Sequence, residues 1–250
     1  MQKNPTTLIA HRGASAEAPE NTLAAFDEAW AQGADGIEGD FRMTRDGEII
    51  CVHDATLDRT GGDSRAVADH PLEALHAVDV GAWKGDAFRG ERMPTLARVL
   101  STVPAGKSIY IEIKSGPEIV PALVAVLDDG AVDVDDLTVI SFQEQVLADL
   151  KAARPLVRSY LLSSFRKTDG VWEPTVEDLV GRAMRLGVEG LGVQANPEVV
   201  DAAFANACGK AGLELNVWTV DRSDLASAFI RAGVTSLSTN RPGGLREELR

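Results

Sequence analysis

Two histidines stand at the ends of short apolar segments, where a strand would give way to a loop. His11 follows the apolar residues 8–10, and His53 follows residues 49–52. Imidazole titrates close to neutral pH, so a histidine at such a position can carry a proton in acid–base catalysis. A single histidine of this kind is more often a packing or capping residue. The acids and bases predicted near these two favour catalysis.

Three carboxylates and a lysine alternate along two other predicted strands. Glu38 and Asp40 are separated by one residue, as are Glu112 and Lys114 in the segment YIEIK. Alternate residues of a strand share a face, so each pair projects from one side of the sheet. An isolated Glu-x-Asp pair fits a solvated or salt-bridged strand end, but three buried carboxylates are costly unless a cation binds them. Their oxygen ligands favour Mg²⁺ or Ca²⁺, whereas Lys114 and Arg12 suit a phosphate.

Two aromatic residues end predicted strands and have two interpretations. Phe142 closes the segment VISF, and Trp218 lies in NVWTV. Both could form an apolar wall over a substrate, and both could simply pack in the core, where large aromatic residues are usually buried. His70 and His76 have no comparable acids or bases near them, so they are predicted to be surface residues.

Short apolar segments alternate with amphipathic helical patterns along most of the chain, which is typical of repeated βαβ units. Nine strands are predicted, at residues 7–10, 35–41, 49–53, 108–113, 137–142, 157–162, 188–193, 214–220 and 235–239. Helix starts are predicted at Asn21-Thr22, at Pro94-Thr95 and at Asn240, which is expected to cap the last helix ahead of Pro242. The strand at residues 49–53 is predicted to return antiparallel in a hairpin, so it is not counted among the parallel strands. The remaining eight predict an α/β fold, a (β/α)8 TIM barrel.

The hairpin is predicted from Asp46-Gly47, a dipeptide that favours a two-residue turn between strands. In that register the residues flanking the turn pair directly, and Asp40 lies opposite His53 on the same face. Residues 54–94 lack regular helix–strand alternation, and we expect a loop-rich insertion there, either a small subdomain or a lid over the site. Residues 1–250 as a whole are expected to form a single domain.

Composition limits the classes of partner. The chain has 250 residues, 44% of them hydrophobic, and a formal charge of -13. This acidity opposes binding to nucleic acids, which requires clustered lysine and arginine. No segment reaches the roughly 18 apolar residues of a membrane span, and no signal-peptide core is seen, so no membrane anchor and a cytoplasmic location are expected. Cys51 and Cys208 are expected to be reduced packing residues.

The order of these motifs resembles a known family. HRGASAEAPENT, GIEGDF, TRDGEIICVHDATLDRT, PTL, YIEIK and NVWTV follow one another as in the glycerophosphodiester phosphodiesterases. The similarity extends over nearly the whole chain and is densest in the first 115 residues. It implies a barrel of the phosphatidylinositol-phospholipase-C-like type, with an insertion after the second histidine.

The resemblance also implies roles for individual residues. The matching positions are His11 and His53 for acid–base catalysis, Glu38, Asp40 and Glu112 for a divalent metal, Arg12 and Lys114 for phosphate, and Trp218 for the glycerol site. The implied reaction belongs to glycerophospholipid and glycerol metabolism and hydrolyses a glycerophosphodiester to sn-glycerol 3-phosphate and an alcohol. Which histidine acts first, and whether the glycerol 2-hydroxyl or water attacks, stay open. Asn240 departs from the family, which commonly has aspartate there.

Two other functions are compatible with the residues. A lysophospholipase D would act on acylated diesters, although no amphipathic basic helix favours a lipid surface. A phosphodiester-binding protein without turnover is the third alternative, although such a protein would not need two proton carriers beside three acids.

Overall fold

Eight parallel strands close into a barrel in the computed structural model, which describes residues 6–250. The strands are β1 Thr7–His11, β2 Gly36–Met43, β3 Ile49–Cys51, β4 Thr56–Leu57, β5 Asp63–Ala66, β6 Ser108–Ile113, β7 Leu137–Ser141, β8 Arg158–Ser163, β9 Arg166–Thr168, β10 Val171–Glu173, β11 Gly190–Gln194, β12 Glu214–Trp218 and β13 Ser236–Thr239. The helices are α1 Leu23–Ala31, α2 Asp58–Gly61, α3 Leu72–His76, α4 Leu96–Leu100, α5 Val120–Asp128, α6 Glu144–Ala153, α7 Val176–Leu186, α8 Ala202–Lys210, α9 Ser223–Ala232 and α10 Pro242–Glu248. The barrel order is β1, β2, β6, β7, β8, β11, β12 and β13, which returns to β1. The predicted TIM barrel is confirmed.

All nine predicted strands are present, and each begins and ends within two residues of its predicted bounds. The extra strand, β3, pairs antiparallel with the end of β2, as the hairpin interpretation required. Two short antiparallel ribbons, β4 with β5 and β9 with β10, were not predicted. They extend the loops that follow barrel strands and leave the closed parallel sheet unchanged.

The predicted register of the β2–β3 hairpin is wrong by one residue. Phe41 pairs with Cys51, and the Val52 N–H donates to the Asp40 carbonyl at 2.8 Å, so Asp40 lies opposite Val52 and not His53. The turn has three residues, 45–47, because the Thr44 N–H reaches the Glu48 carbonyl. Gly47 ends this turn at φ +86°, the left-handed position that a three-residue hairpin turn requires.

Apolar side chains fill both the inside of the barrel and the layer between strands and helices. Inside, Ile9, Tyr110, Ile140 and Tyr160 pack together and are almost completely buried. Outside, two large clusters join the outward faces of the strands to the surrounding helices. Each fully buried side chain of this size contributes about 1.5–3 kcal/mol to folding. The resulting rigid barrel presents the carboxyl ends of its strands at one face.

Residues 54–94 contain β4, α2, β5 and α3, and they have their own apolar cluster. That cluster joins residues of β3 to residues of this segment: Ile50, Val52, Leu57, Val67, Leu75, Val78, Val80 and Met93. The prediction that His70 and His76 are surface residues is wrong in detail. Both are half-buried, and they bond the carbonyls of Ala66 and Met93 respectively.

Helix starts and cysteines agree with the sequence except at one position. Thr22 and Thr95 cap α1 and α4 by accepting backbone hydrogen bonds. The prediction for α10 is wrong, because Arg241 occupies its N-cap and the Asn240 side chain bonds elsewhere. Cys51 and Cys208 are buried free thiols. Within residues 6–250, no helix is both long and apolar enough to cross a membrane.

Candidate active site

The carboxyl ends of the barrel strands surround a small cavity of about 160 Å³. Its walls are His11, Arg12, Glu38, His53, Glu112, Lys114, Ile140, Phe142, Leu162, Asn216, Trp218 and Ser238. Eight of the nine predicted site residues line it, and the ninth, Asp40, is completely buried beside it. A larger apolar groove, which Leu127 and Leu156 help to line, lies near the opposite strand ends. Active sites of TIM barrels occupy the carboxyl face, so the smaller cavity is the candidate.

A tight turn after β1 places Arg12 beside the acids. Arg12 has φ +57° and Gly13 has φ +80°, so the chain reverses within two residues. A Cβ at Gly13 would lie 2.5 Å from the backbone of Ala25, which means that only glycine lets α1 pack this closely. The Arg12 backbone N–H donates to Glu38 Oε2 at 2.9 Å. The HRG triplet therefore couples the end of β1 to the acids of β2.

Glu38, Asp40 and Glu112 converge, with one oxygen of each within 4.8 Å of the others. Neighbouring strands β2 and β6 bring them together, because Asp40 is directly opposite Glu112 in the parallel register. All three are buried, and Glu38 Oε1 has no hydrogen-bond partner among residues 6–250. Asn21 holds Asp40 by donating to Oδ2 at 2.8 Å. An orphaned buried oxygen within a cluster of carboxylates fits a divalent cation.

The pKa values of these acids are shifted because the three groups are buried and lie close to one another. Burial and the neighbouring Asp40 raise the pKa of Glu38, and also that of Glu112, to about 8. Burial opposes ionisation of Asp40 too, but Arg12 and Lys114 outweigh it and lower its pKa to about 2. Three carboxylates thus face two cations. A bound divalent cation would relieve this imbalance and favour the ionised glutamates.

Arg12 and Lys114 are the two cations of the cavity. Arg12 Nε lies 3.0 Å from Asp40 Oδ2, and Lys114 Nζ lies 3.1 Å from Asp40 Oδ1 and 2.5 Å from Glu112 Oε1. Lys114 directly follows β6, and its N–H donates to the Phe41 carbonyl. Both groups are anchored by carboxylates and also line the cavity, where they could bind a phosphate.

His53 is oriented by a chain of charged groups. Its Nδ1 donates to Asp54 Oδ1 at 2.6 Å, and Arg59 Nε donates to Asp54 Oδ2 at 2.7 Å. Arg59 also binds Glu20 with two nitrogens, and Arg12 Nη1 donates to Glu20 as well. The segment 54–94 is tied in this way to the loop before α1. Burial lowers the pKa of His53, and the charge of Asp40 partly offsets this effect.

Removing Arg59 should disturb this orientation more than it disturbs folding. We expect Arg59→Ala to lower kcat by roughly fivefold, the equivalent of about 1 kcal/mol, because Asp54 loses the partner that fixes it. Arg89→Ala is the matched control, since it breaks an exposed ion pair with Asp86 in the same segment. Steady-state kinetics and thermal unfolding of both variants test this; equal kcat values for the two variants would contradict it.

His11 is held by residues from the far end of the chain. Its Nδ1 lies 2.8 Å from Asn240 Oδ1, and Asn240 Nδ2 donates to Asp221 Oδ2 at 2.6 Å. Burial, followed by the nearby charge of Arg12, lowers the pKa of His11. A histidine with a lowered pKa is neutral at pH 7 and can accept a proton. Both histidines of the cavity therefore have an orienting partner at Nδ1.

Trp218 and Phe142 form one wall of the cavity. Their rings meet edge to face with centroids 5.7 Å apart, and Phe142 remains 43% exposed. Trp218 Nε1 is buried without a hydrogen-bond partner in the described part of the chain. Core packing does not explain an exposed phenyl ring, so the wall interpretation fits Phe142 better. The indole N–H of Trp218 is therefore a hydrogen-bond donor that this wall can offer to a ligand.

Several residues of this site were not found from the sequence. Asn21, Glu20, Asp54, Arg59 and Asp221 all bond groups of the cavity directly or through one partner. Asp54 adjoins His53, and Glu20 and Asn21 belong to the PENT segment, so these three carried a local signal. Arg59 and Asp221 carried none, because their partners are distant in sequence.

The carboxyl face of this TIM barrel brings together groups that can transfer protons, bind a cation and bind an anion, which are the functions that hydrolysis of a phosphate ester requires. Residues 11–244 match the model of the glycerophosphoryl diester phosphodiesterase family. The chain belongs to this family.

Relatives and solved structures agree with this assignment. A glycerophosphodiester phosphodiesterase of Caldanaerobacter subterraneus subsp. tengcongensis is 35% identical over 241 residues, which cover 95% of each chain. The fold is similar to an Oleispira antarctica phosphodiesterase in complex with the product sn-glycerol-3-phosphate, with a TM-score of 0.86, 26% identity and coverage of 98% and 97%. It also resembles a glycerophosphodiester phosphodiesterase of Agrobacterium tumefaciens, with a TM-score of 0.81, 28% identity and coverage of 97% and 99%.

Proposed function

We propose that this protein hydrolyses glycerophosphodiesters to sn-glycerol 3-phosphate and an alcohol. The observation that carries the proposal is the convergence of two histidines, three buried carboxylates and two cations on one cavity. Family membership and the product bound by the Oleispira antarctica structure support the same substrate class. A protein that only bound the diester would have no use for two oriented imidazoles.

The residues divide the work by their chemistry. Arg12 and Lys114 bind and orient the phosphoryl oxygens, and their charge is fixed in place by Asp40 and Glu112. Glu38, Asp40 and Glu112 would hold Mg²⁺ or Ca²⁺, which supplies positive charge against the negative charge that develops on the phosphoryl group. Trp218 and Phe142 cover the apolar side of the glycerol, and the free indole N–H can donate to one of its hydroxyls.

His11 and His53 move the protons. One neutral imidazole takes a proton from the attacking hydroxyl, and the other ring, which must begin as the imidazolium, donates a proton to the leaving alkoxide. Their Nδ1 atoms are engaged by Asn240 and Asp54, which leaves Nε2 of each ring for the cavity. The pKa of each ring is lowered by burial, so the neutral, proton-accepting form is available at pH 7, and the ring that donates must first bind a proton.

The substrate is a deacylated, water-soluble diester in this proposal. The formal charge of -13 repels anionic lipid surfaces. We also propose a cytoplasmic location, because the proposed substrate is a small water-soluble diester. Residues 1–250 act as one domain, with residues 54–94 as a subdomain that orients His53 through Asp54 and Arg59.

Product release tests the proposal directly. Glycerophosphocholine, glycerophosphoethanolamine and lysophosphatidylcholine are each incubated with the protein in Mg²⁺, in Ca²⁺ and in EDTA. Glycerol 3-phosphate is measured for the first two substrates, and lysophosphatidic acid is measured for the third. We expect metal-dependent release from the deacylated diesters and at least tenfold slower turnover of the acylated one. Faster turnover of lysophosphatidylcholine would instead favour a lysophospholipase D. Binding without product in either metal would reject an enzymatic role.

A further inference from the structure

The orientation of the Asn240 side chain determines which nitrogen of His11 carries the proton. We infer that Asp221 and Asn240 form a positioning pair that fixes the Nδ1–H tautomer of His11 and leaves Nε2 as the acceptor in the cavity. This role rests on the proposed function of His11 as a proton carrier. Asp221 and Asn240 are not among the residues that line the cavity, so they act through the imidazole ring.

The Asp221 carboxylate determines how the Asn240 amide is oriented. Asp221 Oδ2 lies 2.6 Å from the Asn240 side chain, and an ionised carboxylate can only accept hydrogen bonds. The Asn240 atom that faces Asp221 is therefore the NH₂ group. The amide oxygen must then face His11, where it lies 2.8 Å from Nδ1.

The amide oxygen of Asn240 in turn determines which nitrogen of the His11 ring carries the proton. An amide oxygen can only accept, so Nδ1 of His11 must be the donor. In the neutral ring a proton on Nδ1 leaves a lone pair on Nε2. Ser15 Oγ lies 2.9 Å from the same amide oxygen and 2.8 Å from the His11 carbonyl. Its single hydroxyl hydrogen can be donated to either acceptor, so Ser15 does not determine the orientation of the amide.

Asp221 Oδ1 is itself held by a backbone donor, whose direction cannot reverse. The Asn240 backbone N–H donates to Asp221 Oδ1 at 2.7 Å, and Thr239 Oγ1 donates to the same atom at 2.9 Å. A backbone N–H has one polarity only. This backbone donor determines the direction of each hydrogen bond that runs from Asp221 through the Asn240 side chain to the His11 ring.

A single substitution should reverse the chain of bonds. In Asp221→Asn the backbone N–H of Asn240 keeps the new amide oxygen at position Oδ1, so the new NH₂ group faces the NH₂ of Asn240. Two donors repel, and the Asn240 amide turns over to present its NH₂ to His11. Nδ1 must then accept, and the proton moves to Nε2. We expect kcat to fall about 100-fold with KM changed less than threefold, because Nε2 of His11 can no longer accept a proton.

The double variant Asp221→Asn/Asn240→Asp should restore the original tautomer. The new amide at position 221 then donates to a carboxylate at position 240, and that carboxylate accepts from His11 Nδ1. We expect the Nδ1–H form to return, together with at least a tenfold recovery of kcat over the single variant. Rescue by exchanging the two side chains distinguishes positioning from a general loss of packing.

The measurement is long-range ¹H–¹⁵N correlation NMR of the imidazole rings in the Mg²⁺-loaded full chain at pH 8. The sequence has 4 histidines, so the spectra stay simple. The structure supplies references for both tautomers, because His70 bonds a carbonyl through Nδ1 and His76 does so through Nε2. His53 should remain unchanged in every variant, since Asp54 accepts from its Nδ1.

An Nε2–H tautomer of His11 in the unmodified protein would overturn the inference without any variant. So would an unchanged tautomer in folded Asp221→Asn. If that variant fails to fold, Asn240→Ala takes its place, and persistence of a pure Nδ1–H form there would contradict the inference. The spectra need no substrate, so they decide this inference separately from the turnover assay that tests the proposed function.

Discussion

Replacing either His11 or His53 with alanine is expected to lower kcat for glycerophosphocholine by about 10²–10⁴-fold, the usual contribution of a positioned acid or base. Both rings line the cavity, and both have Nδ1 bonded to an orienting group, so each presents one nitrogen to a substrate. KM should change little, because Arg12 and Lys114, which bind the phosphate in our proposal, remain in place. Steady-state kinetics with Mg²⁺ and a coupled assay for glycerol 3-phosphate measures both parameters.

His70→Ala is the matched control for these variants. His70 bonds a backbone carbonyl in residues 54–94 and lies outside the cavity, so it should keep kcat within about twofold. Thermal unfolding of all three variants separates lost chemistry from lost structure. Near-normal kcat in folded His11→Ala and His53→Ala would exclude acid–base catalysis by this pair. A loss in only one variant would assign the limiting proton transfer to that histidine.

Glu38→Gln is expected to stabilise the metal-free protein and to destroy metal-dependent activity. The substitution keeps the shape of a buried side chain but removes one of three converging acidic groups. Without metal, this relieves repulsion from Asp40, which is one cause of the raised pKa of Glu38. With metal, the site loses a charged ligand, and activity should fall at least about 100-fold. The variant should also gain less stability from saturating Mg²⁺, where an intact site at 100 times Kd gains about 2.7 kcal/mol.

The stability gain should depend on pH in a defined direction. Glu38 has a usual pKa of 4.5 and a folded, metal-free pKa of about 8, so the folded state holds a proton that the unfolded chain has lost between these values. The contribution of Glu38 to the free energy of unfolding is therefore highest below pH 4.5 and falls as pH rises to about 8. Gln cannot titrate, so the advantage of the variant should grow across this window to about 1–3 kcal/mol.

Denaturant unfolding in EDTA at pH 5 and pH 8 tests this prediction. Glu48→Gln is the control, because Glu48 is exposed next to the hairpin turn and the substitution should be nearly neutral at both pH values. An equal stability of Glu38→Gln and the unmodified protein at pH 8 would show that Glu38 carries no electrostatic cost. Full Mg²⁺-dependent activity in the variant would remove Glu38 from the metal ligands.

The sequence alone determined the barrel and the group of side chains at its carboxyl face. Strands and helices have local periods of about 2 and 3.6 residues, so alternating segments can be read without knowing their partners. Parallel strands all end at the same face, and residues at the ends of β1, β2, β6 and β12 were therefore predicted to meet. This rule and the alternation of side chains along a strand were sufficient to predict four of the site residues: Glu38, Asp40, Glu112 and Lys114.

Two Asp-Gly dipeptides show that the local sequence did not determine the type of turn. Asp46-Gly47 favoured a two-residue turn, yet Thr44 and Glu48 close a three-residue turn, and Asp40 faces Val52. Asp169-Gly170 does form a two-residue turn with both φ angles positive, in the unpredicted ribbon of β9 and β10. The dipeptide permits either turn. Which one forms depends on the packing of the strands that flank it.

Only the tertiary structure decided how the catalytic groups are held. Asn240 looked like a helix cap, because asparagine two residues before a proline satisfies a local rule, but its amide bonds His11 across 229 positions of sequence. Arg59 joins Glu20 and Asp54 in a similar way. Such bonds form because closing the barrel brings β13 beside β1, and segment 54–94 beside the loop before α1. Periodicity specifies the elements and the face they share, whereas the partner of each polar group is set by distances that exist only after the barrel has closed.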